Sequence, residues 1–252
     1  MISIKNKDEI KKMRESNRIV ALLLRELEDF IKPGISTHQI DQFADELIHS
    51  EGGKPAFKGY NVAGLPPFPA AICASLNSCI VHGIPSKKDE LKTGDIIGID
   101  VGVYKDGFYG DAARTYKVGQ VSTQTHELMQ VTKEALDRGI AQARDGARVG
   151  DISHAIGSYV QSVGYHVADN LTGHGIGRHL HEDPIIPNIG NKGKGPRLSE
   201  GMTLAIEPMV NVGTNQVIEK GWEFFSADNS LSAHFERTIL ITKNEPEILT
   251  VY

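Results

Sequence analysis

Two stretches with one shared pattern decide the fold: residues 91–101, LKTGDIIGIDV, and residues 198–208, LSEGMTLAIEP. In each stretch a leucine is followed by a turn glycine and an apolar run, and the run ends in a carboxylate, Asp100 or Glu207. An apolar run that starts at a turn glycine is typical of a buried strand. We therefore predict two equivalent strands, each ending in an acidic side chain.

Other features recur in the same order along the chain. The string His-Gly-Ile occurs at residues 82–84 and again at 174–176, and the helix break at Gly34 has a counterpart at Gly146. Chance is the alternative explanation, because glycine and isoleucine are common residues. The ordered recurrence favours an internal duplication.

Each half is predicted to begin with two amphipathic helices and to continue with strands. The predicted helices begin near residues 10, 36, 122 and 151. Strand-like runs cover 70–75, 95–103, 108–118, 202–207, 209–212, 222–226 and 232–242. This pattern indicates an α+β fold with pseudo-twofold symmetry. We expect a single domain over 1–252, with halves roughly 1–120 and 121–252, a curved antiparallel sheet, helices outside, and carboxylates meeting where the halves meet.

Composition excludes several classes of protein. Of the 252 residues, 40% are hydrophobic and 23% are charged, and a net charge of −5 without a Lys/Arg run argues against nucleic-acid binding. No apolar run is long enough to span a bilayer, and the charged N-terminus lacks the apolar core of a signal peptide. The two cysteines, Cys73 and Cys79, make no disulfide framework. We expect a soluble, cytoplasmic protein.

Two aspartates flank a predicted hairpin. The turn residues 105–107, Lys-Asp-Gly, lie between Asp100 and Asp111, so the hairpin would bring the two carboxylates together. Adjacent carboxylates repel, and one stays protonated unless a cation neutralises both. The pair fits a metal site and fits, equally well, two aspartates in unrelated hydrogen bonds.

Three further polar side chains stand in apolar or glycine-rich surroundings. Glu207 ends the repeated strand, and Glu236 precedes an apolar run; either could face water, although the repeat argues against this for Glu207. His174 lies between glycines, which allow backbone or ligand to approach closely, and His181 follows in the same loop. No nucleophile elbow, reactive-cysteine motif or phosphate loop accompanies them.

The strings around these residues resemble the metal site of the pita-bread metallopeptidases. They are CIVHGIP at 79–85, Gly110-Asp111, GHGIG at 173–177, His181-Glu182 and IEPMV at 206–210. Within that group the chain is similar to type I methionine aminopeptidases of bacterial type, over almost its whole length. The resemblance implies a pita-bread fold and a metalloaminopeptidase that removes the initiator methionine from nascent proteins when the second residue is small.

The resemblance also implies a site for two divalent metal ions, of cobalt, manganese, iron or zinc. Asp111 and Glu236 would bridge the two metals. Asp100 would add a bidentate contact to one metal, and His174 and Glu207 would complete the other. The metals would activate a water molecule as the nucleophile, and Glu207 would shuttle its proton.

Further side chains would contact the substrate. His181 would hydrogen-bond the scissile carbonyl, and His82 would contact the scissile nitrogen. The pocket for the methionine side chain would be lined by Tyr60, Cys73 and Trp222. The implied partner is the N-terminal methionine of a nascent peptide. The enzyme would bind this methionine while it associates transiently with the ribosome. The resemblance implies a monomer, with neither nucleic-acid sequence recognition nor a membrane partner.

Some positions depart from the family pattern. Gly102 stands where relatives usually carry threonine, Asn61 replaces a histidine near the pocket, and residues 62–69 are lengthened. Phe57 and Leu180 also differ from some relatives. These differences concern the shape of the pocket and remove no implied ligand.

Two other functions stay open. One is a dimetal peptidase of different specificity, such as X-Pro cleavage, and the other is a non-enzymatic binding module on the same fold. The intact ligand set, together with His82 and His181, argues against the binding module. Turnover of Met-Ala and Xaa-Pro peptides separates the two enzymes.

Overall fold

This computed structural model describes residues 2–251, and these contain four helices and fifteen strands joined by turns and loops. The helices are α1 (Lys7–Phe30), α2 (Thr37–Ser50), α3 (Thr123–Ile140) and α4 (Val149–Ser162). The strands before α3 are β1 (Lys54–Pro55), β2 (Cys73–Leu76), β3 (Cys79–Val81), β4 (Ile96–Lys105) and β5 (Phe108–Lys117). The strands after α4 are β6 (His166–Val167), β7 (Thr172–Gly175), β8 (Glu182–Pro187), β9 (Thr203–Ile206), β10 (Met209–Asn211), β11 (Val217–Lys220), β12 (Glu223–Ser226), β13 (Ser232–His234), β14 (Arg237–Leu240) and β15 (Glu247–Ile248). The predicted α+β class is confirmed; the ends of the predicted 1–252 domain, Met1 and Tyr252, lie outside the described residues.

Side-chain caps fix where the first two helices begin. The Asn6 side chain accepts hydrogen bonds from the backbone N–H groups of Asp8 and Glu9, and the Glu9 carboxylate accepts one from the Asn6 N–H at 2.8 Å. Ser36 and Gln39 make a second reciprocal pair of this kind, as their spacing predicts. Each capping box satisfies backbone N–H groups that a helix N-terminus otherwise leaves unpaired.

The third helix is shorter than predicted. The apolar spacing predicts a helix over 122–144, whereas α3 ends at Ile140. Beyond it the chain turns, and the N–H groups of Asp145 and Gly146 donate to Thr242 and Leu198 in the second half. The helix already ends in tighter turns, in which the N–H groups of Gln142 and Ala143 donate to Gly139 and Ile140, before the chain reaches these distant partners. Periodicity alone therefore overestimates the length of the helix.

The longest pairing in the described chain is the hairpin of β4 and β5, with ten residues in each strand. Its tip is formed by Asp106 and Gly107, whose φ values of 51° and 89° suit a tight left-handed turn. The register places Gly102 opposite Asp111 and Asp100 opposite Ala113. The two aspartates are therefore diagonal neighbours on one face of the hairpin, as the sequence predicts.

The strands form four sheets in which each pair of neighbours is antiparallel. Their orders are β1-β4-β2 with β5 beside β4, then β13-β10-β6, β11-β12-β3 and β15-β14-β9-β7-β8. One apolar core packs α1 and α2 against β4, and a second packs α3 and α4 against β9 and β14. The repeated helix–helix–strand order thus gives each half a core of its own. None of the described helices has the length and hydropathy needed to cross a membrane.

The predicted strand 232–242 is divided into β13 and β14. At the break, the N–H of Phe235 donates to Pro208, and the N–H of Glu236 donates to Ala113 on β5 at 2.8 Å. The hydroxyl of Thr238 donates to the carbonyl of Asp111, also on β5. These bonds join the second half to the first half and bring Glu236 beside the hairpin.

Candidate functional site

Five acidic or imidazole side chains converge from both halves of the chain. Asp100 and Asp111 come from the β4–β5 hairpin, and His174 comes from β7. Glu207 follows β9 directly, and Glu236 lies at the break between β13 and β14. The five residues predicted as metal ligands therefore meet at the junction of the halves. Glu207 follows the end of its strand as predicted, whereas the prediction that Asp100 ends its strand is wrong, because β4 continues to Lys105 in the hairpin with β5.

The distances define two overlapping groups of donor atoms. His174 Nε2 lies 3.6 Å from Glu207 Oε1 and 4.0 Å from Asp111 Oδ2. Donor atoms of Asp111, His174 and Glu236 lie within 4.8 Å of one another, and Glu207, His234 and Glu236 form a second such group. Because Glu236 belongs to both groups, the arrangement suits neighbouring cations that share a carboxylate.

Burial makes this centre costly without a cation. Burial raises the pKa of Asp100 to about 7, and burial with the nearby charge of Asp100 raises the pKa of Asp111 well above its usual range. Burial raises the pKa of Glu207 and of Glu236 in the same way. In addition, Asp100 Oδ1, Asp111 Oδ1 and Glu236 Oε1 are buried without a hydrogen-bond partner. Unpaired buried oxygen atoms of this kind fit divalent cations.

His174 is held in the form that binds a cation. Its Nδ1 lies 2.8 Å from the carbonyl oxygen of Gly175, which can only accept, so Nδ1 carries the hydrogen. Burial lowers the pKa of the imidazole to about 3, which keeps the ring neutral. The lone pair of Nε2 is therefore free to face the carboxylates.

A sixth residue of the centre, His234, has no role assigned from the sequence. Its Nε2 is buried, has no hydrogen-bond partner, and lies 3.3 Å from Glu207 Oε2. Burial lowers the pKa of this imidazole to about 4. The one signal in the sequence is its position two residues before Glu236, because alternate residues of an extended segment share a face.

All ten residues predicted for the site line one cavity of about 280 Å³. They are Tyr60, Cys73, His82, Asp100, Asp111, His174, His181, Glu207, Trp222 and Glu236. The apolar wall also contains Phe57, Val62, Phe68 and Leu180. Sequence reasoning missed Val62 and Phe68, because they belong to a proline-rich loop whose path no periodicity specifies.

The loop over the pocket is held by Trp222. The indole Nε1 donates to the carbonyl of Pro66 at 2.9 Å, and the rings of Trp222 and Phe68 meet edge to face with centroids 5.4 Å apart. The lengthened segment 62–69 therefore forms part of the pocket wall. Val62, Phe68 and Trp222 contribute apolar surface to the same cavity that the acidic side chains line.

A wider cleft of about 780 Å³ opens beside the pocket. The two cavities share His82, Asp100, His174, His181 and Glu207. The polar centre therefore stands between a small apolar pocket and an open cleft. That order suits a ligand with an apolar end, a reacting group and a longer remainder.

His181 is oriented by its neighbours. The hydroxyl of Tyr60 lies 2.7 Å from Nδ1, and the imidazole meets the ring of His174 edge to face with centroids 4.4 Å apart. Burial lowers the pKa of His181, so the neutral ring predominates near pH 7. With the Tyr60 hydroxyl as donor, Nδ1 accepts and Nε2 carries a hydrogen that it can donate.

His82 is held in an unfavourable backbone conformation. Its φ of 59° lies in the left-handed region, and its Nδ1 is buried without a hydrogen-bond partner. Burial lowers the pKa of the imidazole to about 4. Strained residues of this kind cluster at functional sites, because the surrounding structure holds them in place.

Two departures from the family pattern, Gly102 and Phe57, compensate each other. A Cβ at Gly102 would lie 2.7 Å from Phe57 Cε1 and 2.9 Å from Ala56 Cβ, so the ring of Phe57 takes the space of a side chain at 102.

Asn61 is exposed, and its amide donates to the carbonyl of Gly59 at 3.0 Å. Asn61 thus points to a local backbone bond, and it is absent from the lining of the pocket.

Comparison with known proteins identifies the family. Residues 11–243 match metallopeptidase family M24. The methionine aminopeptidase of Clostridium acetobutylicum is 47% identical over 253 aligned residues, which cover 100% of this chain and 99% of that protein. The chain belongs to the methionine aminopeptidases of family M24. The prediction of a type I methionine aminopeptidase is confirmed.

Solved structures support the same placement. The crystal structure of the methionine aminopeptidase from Thermotoga maritima matches with a TM-score of 0.96 and 46% identity, covering 100% of both chains. The prolidase from Pyrococcus furiosus matches with a TM-score of 0.80 at 23% identity, covering 99% of this chain and 65% of that one. The prolidase match concerns the fold alone, and the predicted pita-bread fold is confirmed for this methionine aminopeptidase family member.

Proposed function

We propose that this chain is a metalloaminopeptidase that removes an N-terminal methionine when the second residue is small. The observation that carries the proposal is an apolar pocket of about 280 Å³ that ends at a buried acidic centre. A flexible thioether side chain fits an irregular apolar pocket of this kind. The scissile bond would then lie at the acidic centre, with the rest of the peptide in the cleft.

The acidic centre would hold two divalent cations of cobalt, manganese, iron or zinc, since carboxylate and imidazole donors suit these metals. The residues that would hold them are Asp100, Asp111, His174, Glu207 and Glu236. When bound, the cations supply Lewis-acid polarisation and lower the pKa of water. The buried oxygen atoms without hydrogen-bond partners support this assignment.

The side chains around the centre would orient the peptide and move protons. Glu207 would take up a proton and return it, a role supported by burial, which raises its pKa. His181 would donate from Nε2 to the carbonyl oxygen, a bond that strengthens as negative charge develops there. His82 would contact the scissile nitrogen. The second side chain of the substrate would lie in the confined space near the acidic centre, which favours small residues.

The wider setting belongs to the same proposal. Residues 1–252 would act as a single catalytic domain with halves roughly 1–120 and 121–252, supported by hydrogen bonds such as that from Glu236 N–H to Ala113. The chain would work as a cytoplasmic monomer on nascent peptides, during transient contact with the ribosome. It would recognise neither nucleic-acid sequence nor membrane.

Peptide turnover tests the proposed specificity. Peptides beginning Met-Ala, Met-Gly or Met-Ser should be cleaved with kcat/KM at least about 10-fold above that for Met-Phe or Met-Lys, the range that a confined pocket supplies. Equal values for Met-Ala and Met-Phe would contradict the proposal. Preferred cleavage of Xaa-Pro peptides would instead favour the X-Pro peptidase.

A further inference from the structure

Lys5 is buried although it belongs to a strongly charged segment. Its Nζ lies 2.6 Å from Glu182 Oε2, and the two side chains are only 2% and 9% exposed. Glu182 directly follows His181, and its Oε1 also accepts from the backbone N–H of His179 at 3.1 Å. Burial acts to raise the pKa of Glu182, but the bonds from Lys5 and His179 lower it overall, so the carboxylate is charged.

Close packing fixes the segment that carries Lys5. The N–H of Lys5 donates to the carbonyl of Gly201 at 2.8 Å, and a Cβ at Gly201 would lie 2.8 Å from Ile4 Cγ2. A Cβ at Gly177 would overlap the end of the Lys5 side chain. The equivalent glycine of the first half, Gly94, has open space at the same position. The turn at Gly201 therefore packs against the N-terminal segment at Ile4 and Lys5, whereas the equivalent turn at Gly94 has no such contact at its Cβ position.

A second ion pair joins the same two segments. Glu9, in the first turn of α1, lies 2.7 Å from Arg178 Nη2, and the guanidinium group stacks over the ring of Phe108 at 5.0 Å. Arg178 is largely exposed, so water screens the attraction between the two charges, and this pair does less than the buried pair to fix the turn. Together the two pairs bracket residues 178–182, the turn that carries His181.

We propose that Lys5, acting through Glu182, is a positioning residue for His181; this rests on the role given to His181 in the proposed function. Removing one partner of a buried ion pair leaves the other charge uncompensated, which destabilises the observed position of the turn that carries His181. A displacement of about 1 Å at a group that contacts the reacting atoms costs up to about 100-fold in rate. Lys5 lines neither the pocket nor the cleft.

Single variants provide the first test. Lys5→Met and Glu182→Gln each break the buried pair, and Arg14→Met is the matched control, because it breaks an exposed 2.8 Å pair between α1 and Glu247. Metal content, melting temperature, kcat and KM are measured on each preparation with a Met-Ala peptide. We expect kcat to fall about 10-fold in the first two variants, with KM within about twofold and metal content unchanged. The control should match the wild type, and wild-type kcat in both pair-breaking variants overturns the proposal.

A double-mutant cycle separates positioning from general loss of stability. In a His181→Ala background, Lys5→Met should lower kcat by less than about twofold, because the residue that it positions is gone. An equal loss in both backgrounds overturns the proposal. Hydrogen exchange of residues 177–183 supplies a readout independent of activity: it should be faster in Lys5→Met and unchanged in Arg14→Met. If the wild type fails to cleave methionyl peptides the proposed function fails, whereas unchanged exchange in Lys5→Met refutes the positioning role.

Discussion

At the residue scale, the chemistry depends on polar side chains held away from water. Asp111, His174 and Glu236 are 3%, 8% and 2% exposed, although each carries a group that water would solvate. An isolated carboxylate in such a place is costly unless it is neutralised by a proton or a cation. Cations offset this cost for several side chains at once, which is why a cluster of buried acidic side chains indicates a metal site.

Replacing His181 separates chemistry from metal binding. His181→Ala should keep its metals and its fold and lose about 10²–10³-fold in kcat, the usual cost of one donor to a developing oxyanion. KM should change less, because the bond strengthens mainly in the transition state. Metal content, melting temperature and kcat on one preparation provide the measurement. A fully loaded His181→Ala protein with near-normal kcat would remove the role given to this residue.

The two carboxylates proposed to bridge the cations, Asp111 and Glu236, should matter more for metal affinity than the imidazole of His174. Asp111→Asn or Glu236→Gln removes a charge proposed to be shared by two cations, whereas His174→Ala removes a neutral donor from one. Calorimetric titration of the metal-free variants with Mn²⁺ should show a larger loss of affinity for the two acidic variants. Two tight sites in Asp111→Asn would show that the shared position is assigned wrongly.

At the scale of elements, the β4–β5 hairpin sets the geometry of the aspartates, and packing behind it restricts its sequence. Gly102 has no space for a Cβ because of Phe57, whereas a Cβ at Gly98 on the same strand would meet only ordinary contacts of 3.7 Å or more. The hairpin therefore offers a matched pair of glycines on one strand. One tests overpacking, and the other controls for the change from glycine to alanine.

Gly102→Ala should lower the free energy of unfolding by about 1–3 kcal/mol, the usual cost of overpacking. Gly98→Ala should be nearly neutral, and Gly102→Ala combined with Phe57→Leu should recover much of the loss, because the smaller side chain frees the space. Urea unfolding of the three variants and the wild type checks this. Equal stability of Gly102→Ala and Gly98→Ala would contradict the packing account.

Elements set by local pattern were predictable from the sequence. The turn glycine and the apolar run predicted β4 and β9, although β4 continues past Asp100 to Lys105. The Lys-Asp-Gly turn predicted the hairpin tip that makes Asp100 and Asp111 diagonal neighbours. The division of 232–242 was not predictable, because Glu236 N–H pairs with Ala113, more than a hundred residues away. Local pattern cannot encode a hydrogen bond to a distant strand.

The same distinction applies to the candidate site. The ten predicted residues were found through motifs and through resemblance to a family, and they line one cavity. His234, Val62 and Phe68 lacked such motifs. Lys5 was one of several lysines in a charged segment, and only its partner Glu182, 177 residues away, distinguishes it. Contacts between the two halves, rather than composition, determine which side chains surround these residues.

At the scale of the whole molecule, the two halves meet at a cluster of acids, so proton binding and folding are linked. Burial raises the pKa of Asp100 to about 7 in the folded protein, against about 3.9 in an unfolded chain. Its stabilising contribution is therefore present below about pH 4 and is lost as pH rises through about 7. Burial lowers the pKa of His82 and His234 to about 4, and their contribution changes in the opposite sense.

Comparing two metal-free proteins tests whether burial raises the pKa of Asp100. Asp100→Asn should gain stability relative to the wild type as pH rises from 4 to 7, by at most about 1.4 kcal/mol for each pH unit. His82 is common to both proteins, whereas the charge of Asp100 also raises the pKa of His234 and of Asp111, so the difference reports Asp100 together with these two neighbours. Urea unfolding at pH 5 and pH 8 gives the two differences. A difference that does not change with pH would mean that Asp100 ionises normally in the folded protein.

The most direct test of the central claim is a metal titration followed by peptide turnover. The protein is stripped with a chelator, its metal content is measured, and Mn²⁺ is added back stepwise while cleavage of a Met-Ala peptide and the melting temperature are followed. We expect no cleavage without metal, recovery as metal binds, and a melting temperature that rises with loading, because cations bind only the folded acidic centre. Full turnover by protein shown to hold no metal would contradict the account.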